Sequence, residues 1–128
     1  MTIALWCVLI AGLLPYLAIG IAKFDKSYLR HNHDPRAWEA GLTGMQARAH
    51  NAHLNAFEAF PLFAAGVIVA TLQKAPPAVV DAIAVAFVLV RLAYLVCYLT
   101  NQATLRSLAW LAGFGLAIAL YVVAAGAS

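Results

Sequence analysis

Read from its amino terminus, the chain alternates long apolar runs with short polar interruptions. The first run covers about residues 3–22 and ends at Lys23, Phe24, Asp25 and Lys26. After a polar, charged connection containing His31, His33 and Pro35, helical pattern resumes near Gly44, turns apolar around Ala52 and continues to Leu72. Gln73, Lys74, Pro76 and Pro77 make a short turn, and proline suits the first turn of the helix that follows, at about residues 78–99. A turn at residues 100–104 precedes the last run, about residues 105–125. Each run matches the roughly 20 residues that an α-helix needs to cross a bilayer. The pattern predicts an all-α integral membrane protein, a single domain over residues 1–128 built as a bundle of four transmembrane helices. Pro15, Gly12 and Gly20 are expected to bend the first helix or admit a close neighbour, and Ala109, Gly113 and Ala117 form a four-residue stripe of small side chains on the fourth.

Composition agrees and excludes the main alternative. Of 128 residues, 65% are hydrophobic and 10% charged, against roughly 45–50% and ~25% in soluble domains; a water-soluble monomer is ruled out. Four spans nearly use up the chain, so any chemistry belongs inside the bundle or at its mouth. The net charge of +3 comes from basic residues that are spread out and flank apolar runs, which fits membrane topology and not nucleic-acid binding. Lys23, Lys26, Arg30, Arg36, Arg48 and Arg106 fall on one side and Lys74 on the other, so the positive-inside rule turns both termini outward. The first run lacks a basic leader and a convincing cleavage site and is read as an uncleaved span. Cys7 and Cys97 fall near opposite membrane faces, too far apart for a disulfide within one chain.

Polar residues inside these spans carry the chemistry. Arg48, Asn51, Asn55 and Glu58 are confined to an arc of about 80° on the second helix, and Arg91, Tyr94, Tyr98 and Asn101 repeat the spacing on the third. The two stripes are positioned to face each other. A charge near the bilayer centre costs at least about 2.5–3.5 kcal/mol, so Glu58 and Arg91 need partners or water. A direct Arg91–Glu58 ion pair is one solution, but an interior polar cavity accounts for the whole set. His50 and His53 point elsewhere on the second helix, toward another helix or subunit, and no carboxylate or cysteine shares their face to make a metal site. Pro61 is expected to kink the helix just beyond Glu58. No phosphate loop, nucleophile elbow, paired CxxC or HExxH motif is present.

The segment from Arg48 to Pro61, Arg-Ala-His-Asn-Ala-His-Leu-Asn-Ala-Phe-Glu-Ala-Phe-Pro, resembles the second-helix signature of the MAPEG family, the membrane-associated proteins of eicosanoid and glutathione metabolism. Arg91-x-x-Tyr94-x-x-x-Tyr98 followed by Arg106-Ser107 is similar to that family's third helix and the start of its fourth. The resemblance implies a homotrimer with glutathione bound as co-substrate between adjacent subunits, and no metal. By motif, Arg48, Asn55, Glu58, Tyr94 and Tyr98 match positions that contact or support glutathione, with Asn51, His53 and Arg91 completing the candidate set. Arg106 matches the arginine that stabilises the thiolate, and Ser107 an alternative activator of one branch. The chain departs from the glutathione-using enzymes at Asn51 and Lys23, where they carry arginine, and at Leu54, where one branch has a further basic residue. The implied function is a glutathione-dependent transferase or peroxidase acting on lipophilic electrophiles or hydroperoxides; the compact loops and the absence of targeting signals point to a bacterial inner membrane, with an organellar membrane as the alternative. Two other readings stay open: a non-enzymatic protein of the same fold that binds a lipid or small anion in the pocket, and a small transporter or scaffold.

Overall fold

The computed structural model describes residues 1–24 and 27–127. Six helices follow in chain order: α1 (Ile3–Ala22), α2 (Ser27–Arg30), α3 (Pro35–Ala40), α4 (Gly44–Leu72), α5 (Pro77–Leu99) and α6 (Ala103–Ala125). Four of them, α1, α4, α5 and α6, are long and apolar enough to cross a membrane. Asp25 and Lys26, assigned to the end of the first run and to its charged flank, lie outside the described residues.

The expected spans coincide with these helices to within two residues. Local chemistry sets the ends: the Thr2 hydroxyl accepts the Leu5 N–H at 3.3 Å to start α1, and Pro77 sits in the first turn of α5, where its missing N–H costs nothing. The 23–43 connection holds two short helices that its polar pattern hides. Yet Asp34-Pro35 is a legible start signal: the Asp34 carboxylate accepts the Ala37 N–H at 3.2 Å and Pro35 opens α3. At the far end of α5 the expected polar stripe stops short. Helix ends at Leu99, and Asn101 turns the chain with φ of 59°, a left-handed conformation asparagine tolerates better than most residues.

At 29 residues and about 1.5 Å per residue, α4 outreaches the roughly 30 Å hydrocarbon layer by more than two turns. Its polar first turns, with Arg48 and Asn51, therefore stand at the membrane surface, while Asn55 and Glu58 lie deeper. α4 and α5 pack on each other, and each packs on both α1 and α6. Short turns make α4, α5 and α6 successively antiparallel, and α1 ends beside the start of α4, so the ends of α1 and α5 and the starts of α4 and α6 gather at one face of the bundle. Gln46 donating to the Ala22 carbonyl at 3.1 Å ties two of them together.

Small residues predominate on the inside of α1 and large ones face out, because lipid solvates leucine as well as a protein core does. On α1, Ala4, Cys7, Ala11, Ala18 and Ala22 are buried at helical spacing, while Trp6, Leu9, Leu13, Tyr16 and Leu17 are exposed. The bundle centre is closed by Phe63 and Phe87, stacked with ring centroids 3.9 Å apart. Gly113 and Ala117 of the α6 stripe are buried and Ala109 is half-buried. Among the glycines the closest approach is at Gly66 of α4, where a Cβ would stand 3.0 Å from the Tyr121 ring and 3.1 Å from Leu120 Cβ. At Gly113 a Cβ would meet Arg91 Cδ at an ordinary 3.5 Å. Both cysteines are free, as their separation along the bundle requires.

Candidate functional site

The facing stripes of α4 and α5 meet in a linear chain of contacts. Arg91, only 4% exposed, donates from Nη2 to Asn55 Oδ1 at 2.8 Å, and Asn55 Nδ2 donates to Glu58 Oε2 at 3.1 Å. The direct ion pair weighed from sequence is thus replaced by a relay, with the asparagine amide between the guanidinium and the carboxylate. A guanidinium can only donate and an ionised carboxylate can only accept, so one orientation of the Asn55 amide serves both.

Toward the surface the chain continues through aromatic rings. The Arg91 guanidinium lies 4.2 Å from the Tyr94 ring centroid, Tyr94 meets Tyr98 edge-on at 5.6 Å, and Arg106 at the start of α6 lies 4.6 Å from the Tyr98 centroid. Each arginine is held against an aromatic face by cation–π attraction, which is stronger where water is scarce. The register that puts Tyr94 and Tyr98 three and seven residues after Arg91 is what brings one ring to each guanidinium.

Beside this chain, α4, α5 and α6 enclose a cavity of about 190 Å³. Asn55, Glu58 and Arg91 border it on one side; Leu62, Phe87, Trp110 and Phe114 form an apolar wall, with Gly113 and Ala117 between the two. Trp110 and Phe114 stack in parallel at 5.4 Å. Glu58 is exposed, so its carboxylate, with one oxygen on Asn55, has the other open to a cation from outside the bundle. The wall was missed in the sequence, although its α6 part has a signal: Trp110 and Phe114 follow Arg106 four and eight residues on and fall on the same side of the helix.

Other candidates sit apart from the cavity. Arg48 is half-buried and donates from Nε and Nη2 to the Leu99 carbonyl at 3.4 and 3.2 Å, a cation on the carbonyl end of α5. Asn51 is exposed near the start of α4. His53 faces α1 and donates from Nδ1 to the Pro15 carbonyl at 2.7 Å, with its ring edge-on to Phe57. The ring of His50 lies 6.0 Å from that of His53, and its buried Nδ1 has no hydrogen-bond partner among the described residues. Ser107 is exposed and donates to the Ala103 carbonyl at 3.1 Å, within its own helix.

Sequence reasoning also passed over Asp81, an acid within α5 at the opposite end of the bundle. Its Oδ1 accepts the Ala4 N–H at 2.7 Å, so α5 caps the start of α1. An isolated acid in an apolar run is a visible signal, but its partner is 77 residues away.

The fold and site together define a class: a four-span helical membrane protein with a half-polar, half-aromatic pocket within the span of its helices. The family model for MAPEG matches residues 3–126, nearly the whole chain, and this chain belongs to the MAPEG family. It is an integral membrane protein of the eicosanoid- and glutathione-metabolism type. Comparison with curated proteins and with solved structures returned no match.

Proposed function

We propose that this protein is a homotrimeric glutathione transferase or peroxidase acting on lipophilic electrophiles or hydroperoxides. The observation that supports the reading is the succession of Glu58, Asn55, Arg91, Tyr94, Tyr98 and Arg106 from the membrane interior to the bundle face, beside an aromatic wall. Glutathione carries an ammonium, two carboxylates and a thiol. Glu58 suits the ammonium, and Arg48 with the other basic groups at this face suits the carboxylates. Asn51, His53, Tyr94 and Tyr98 complete the glutathione site, Asn55 and Arg91 support Glu58 from behind it, and adjacent subunits enclose it. An exposed carboxylate at the depth of Glu58 is costly against lipid, which favours its being covered by a neighbouring copy and a bound cation.

Arg106 is the catalytic residue of this reading. The nucleophile is the thiolate, and an ordinary thiol with pKa near 8.5 is mostly protonated at neutral pH. A guanidinium beside the sulfur, at a helix start whose N–H groups also attract negative charge, favours the ionised form. The thiolate then attacks an electrophilic carbon that arrives from the lipid, and the displaced group leaves with the electron pair of its bond. With a hydroperoxide, sulfur takes the terminal oxygen and the alkoxide is protonated to an alcohol. A second glutathione converts the sulfenic acid to disulfide and water. The Trp110–Phe114 wall would receive the apolar substrate, so catalysis consists largely of joining a lipid-borne and a water-borne reactant.

The basic flank at this end, Lys23, Arg30, Arg36, Arg48 and Arg106 against Lys74 at the other, favours a cytoplasmic site with both termini outside, in a bacterial inner membrane. The test is glutathione binding to detergent-purified protein, followed by the ultraviolet absorbance of the thiolate. Saturable binding whose thiolate signal disappears in Arg106→Ala, and whose affinity falls in Glu58→Gln, is expected. No binding at millimolar glutathione overturns the reading. Asn51 in the place of an arginine favours a second one, a non-enzymatic protein that holds a lipid or small anion; it requires a co-purifying ligand and no thiol chemistry.

A further inference from the structure

Building on the glutathione reading, we infer that Arg91 is a positioning residue, which acts through Asn55 on the Glu58 carboxylate and does not itself hold the ligand. Three observations carry this. Arg91 is 4% exposed in a single subunit, and association with further copies can only reduce that figure. Its guanidinium is already engaged, with Nη2 on Asn55 Oδ1 at 2.8 Å and one face on the Tyr94 ring. And the hydrogen-bonded path from Arg91 to exposed Glu58 runs through the Asn55 amide, whose Nδ2 donates to Glu58 Oε2 at 3.1 Å.

The chemistry of the amide makes the relay directional. With Arg91 present, Oδ1 must face the guanidinium, so Nδ2 must face Glu58. That donation fills one carboxylate oxygen and orients the other toward whatever enters from outside. Without Arg91 the amide keeps its donation to Glu58 but its Oδ1 is left without the guanidinium. An amide anchored at one end only can swing toward another donor and carry the Glu58 carboxylate out of line. The buried cation thereby sets the geometry of an anion two contacts away, and through it the preference for a ligand bearing an ammonium group.

The experiment compares binding of glutathione and of its analogue lacking the α-amino group, in detergent-purified full-length protein. The variants are Arg91→Met, Asn55→Ala and the double substitution, with Arg91→Lys as the variant that keeps the charge and a donor. Helical circular dichroism and gel filtration check that each is folded; should Arg91→Met misfold, Arg91→Lys enters the cycle in its place. The expected result is a loss of glutathione affinity of about tenfold in Arg91→Met and in Asn55→Ala, with no further loss in the double variant, because coupled residues do not add. Arg91→Lys recovers part of the loss, and the deaminated analogue binds all variants as it binds the original protein. A purely structural role would weaken both ligands in parallel. Additive losses, or a parallel fall for the analogue, overturn the inference while leaving the glutathione reading in place. Absence of any binding to the original protein overturns both.

Discussion

Asp81 of α5 holds the amino terminus of α1: its Oδ1 accepts the Ala4 N–H at 2.7 Å, across 77 residues of sequence. A helix start has N–H groups with no intrahelical partner, and a carboxylate satisfies one of them while complementing the helix dipole. Asp81→Ala should lower stability by about 1–2 kcal/mol, the usual cost of removing a cap, and Asp81→Asn by less, since the amide oxygen still accepts. Thermal unfolding in detergent measures the difference. Labelling of buried Cys7, one turn into α1, should quicken in Asp81→Ala; unchanged labelling would show that α1 stays seated without the cap.

The crossing of α4 and α6 leaves no room at Gly66. Gly66→Ala should cost about 1–3 kcal/mol, the range for overpacking, because its Cβ would meet the Tyr121 ring and Leu120 Cβ at 3.0 and 3.1 Å. Tyr121, which donates to the Leu62 carbonyl at 3.1 Å, cannot withdraw without losing that bond. Gly113→Ala has only ordinary contacts, and the helix preference for alanine, up to about 1 kcal/mol, should make it neutral or mildly stabilising. Equal losses at both positions would contradict this account of the crossing.

Arg106 and Tyr98 offer a test of the proposed chemistry with a definite sign. If Arg106 favours the thiolate, the bound thiol ionises at lower pH than in Arg106→Ala. The rise of activity with pH should therefore move to higher pH in that variant, and turnover at neutral pH should fall by about a hundredfold, the loss seen when a charge-stabilising donor is removed. Tyr98→Phe keeps the ring under the guanidinium and should move the profile little, whereas Tyr98→Ala releases Arg106. A pH profile identical in Arg106→Ala would remove this residue from catalysis.

The aromatic wall separates the two substrates. Trp110→Ala should raise KM for a lipophilic electrophile by about tenfold, in line with the loss of a large apolar contact, and leave glutathione affinity unchanged. Steady-state kinetics with each substrate varied in turn would check it. A change confined to glutathione would place Trp110 on the other side of the site.

Much of this molecule is legible in residue order. Apolar run lengths near 20 residues announce four spans, because a bilayer sets the length of a helix that crosses it. The three- and four-residue spacing of Asn55, Glu58, Arg91, Tyr94 and Tyr98 announces two polar faces, because helical periodicity is a local property. Other features escaped for equally physical reasons. The Arg91–Asn55–Glu58 relay depends on the relative height of α4 and α5, and the choice between a direct ion pair and a relay is a matter of ångströms. Trp110 and Phe114 lie in an apolar run, and only the placing of α6 beside Glu58 singles them out as a wall. His53 shares its helix with the polar stripe but turns to the Pro15 carbonyl, a partner that exists only once α1 is docked.

Sequence alone therefore determined the elements, their number and the polar faces they present, since each is encoded within a few helical turns. Tertiary structure decided which of those faces meet: that Arg91 spends a donor on Asn55, that Asp81 caps a helix 77 residues away, and that an aromatic wall closes the pocket. Those pairings follow from side-chain packing between spans, and small residues such as Gly66 and Ala117 set how closely the backbones approach. No periodicity along one segment contains that distance.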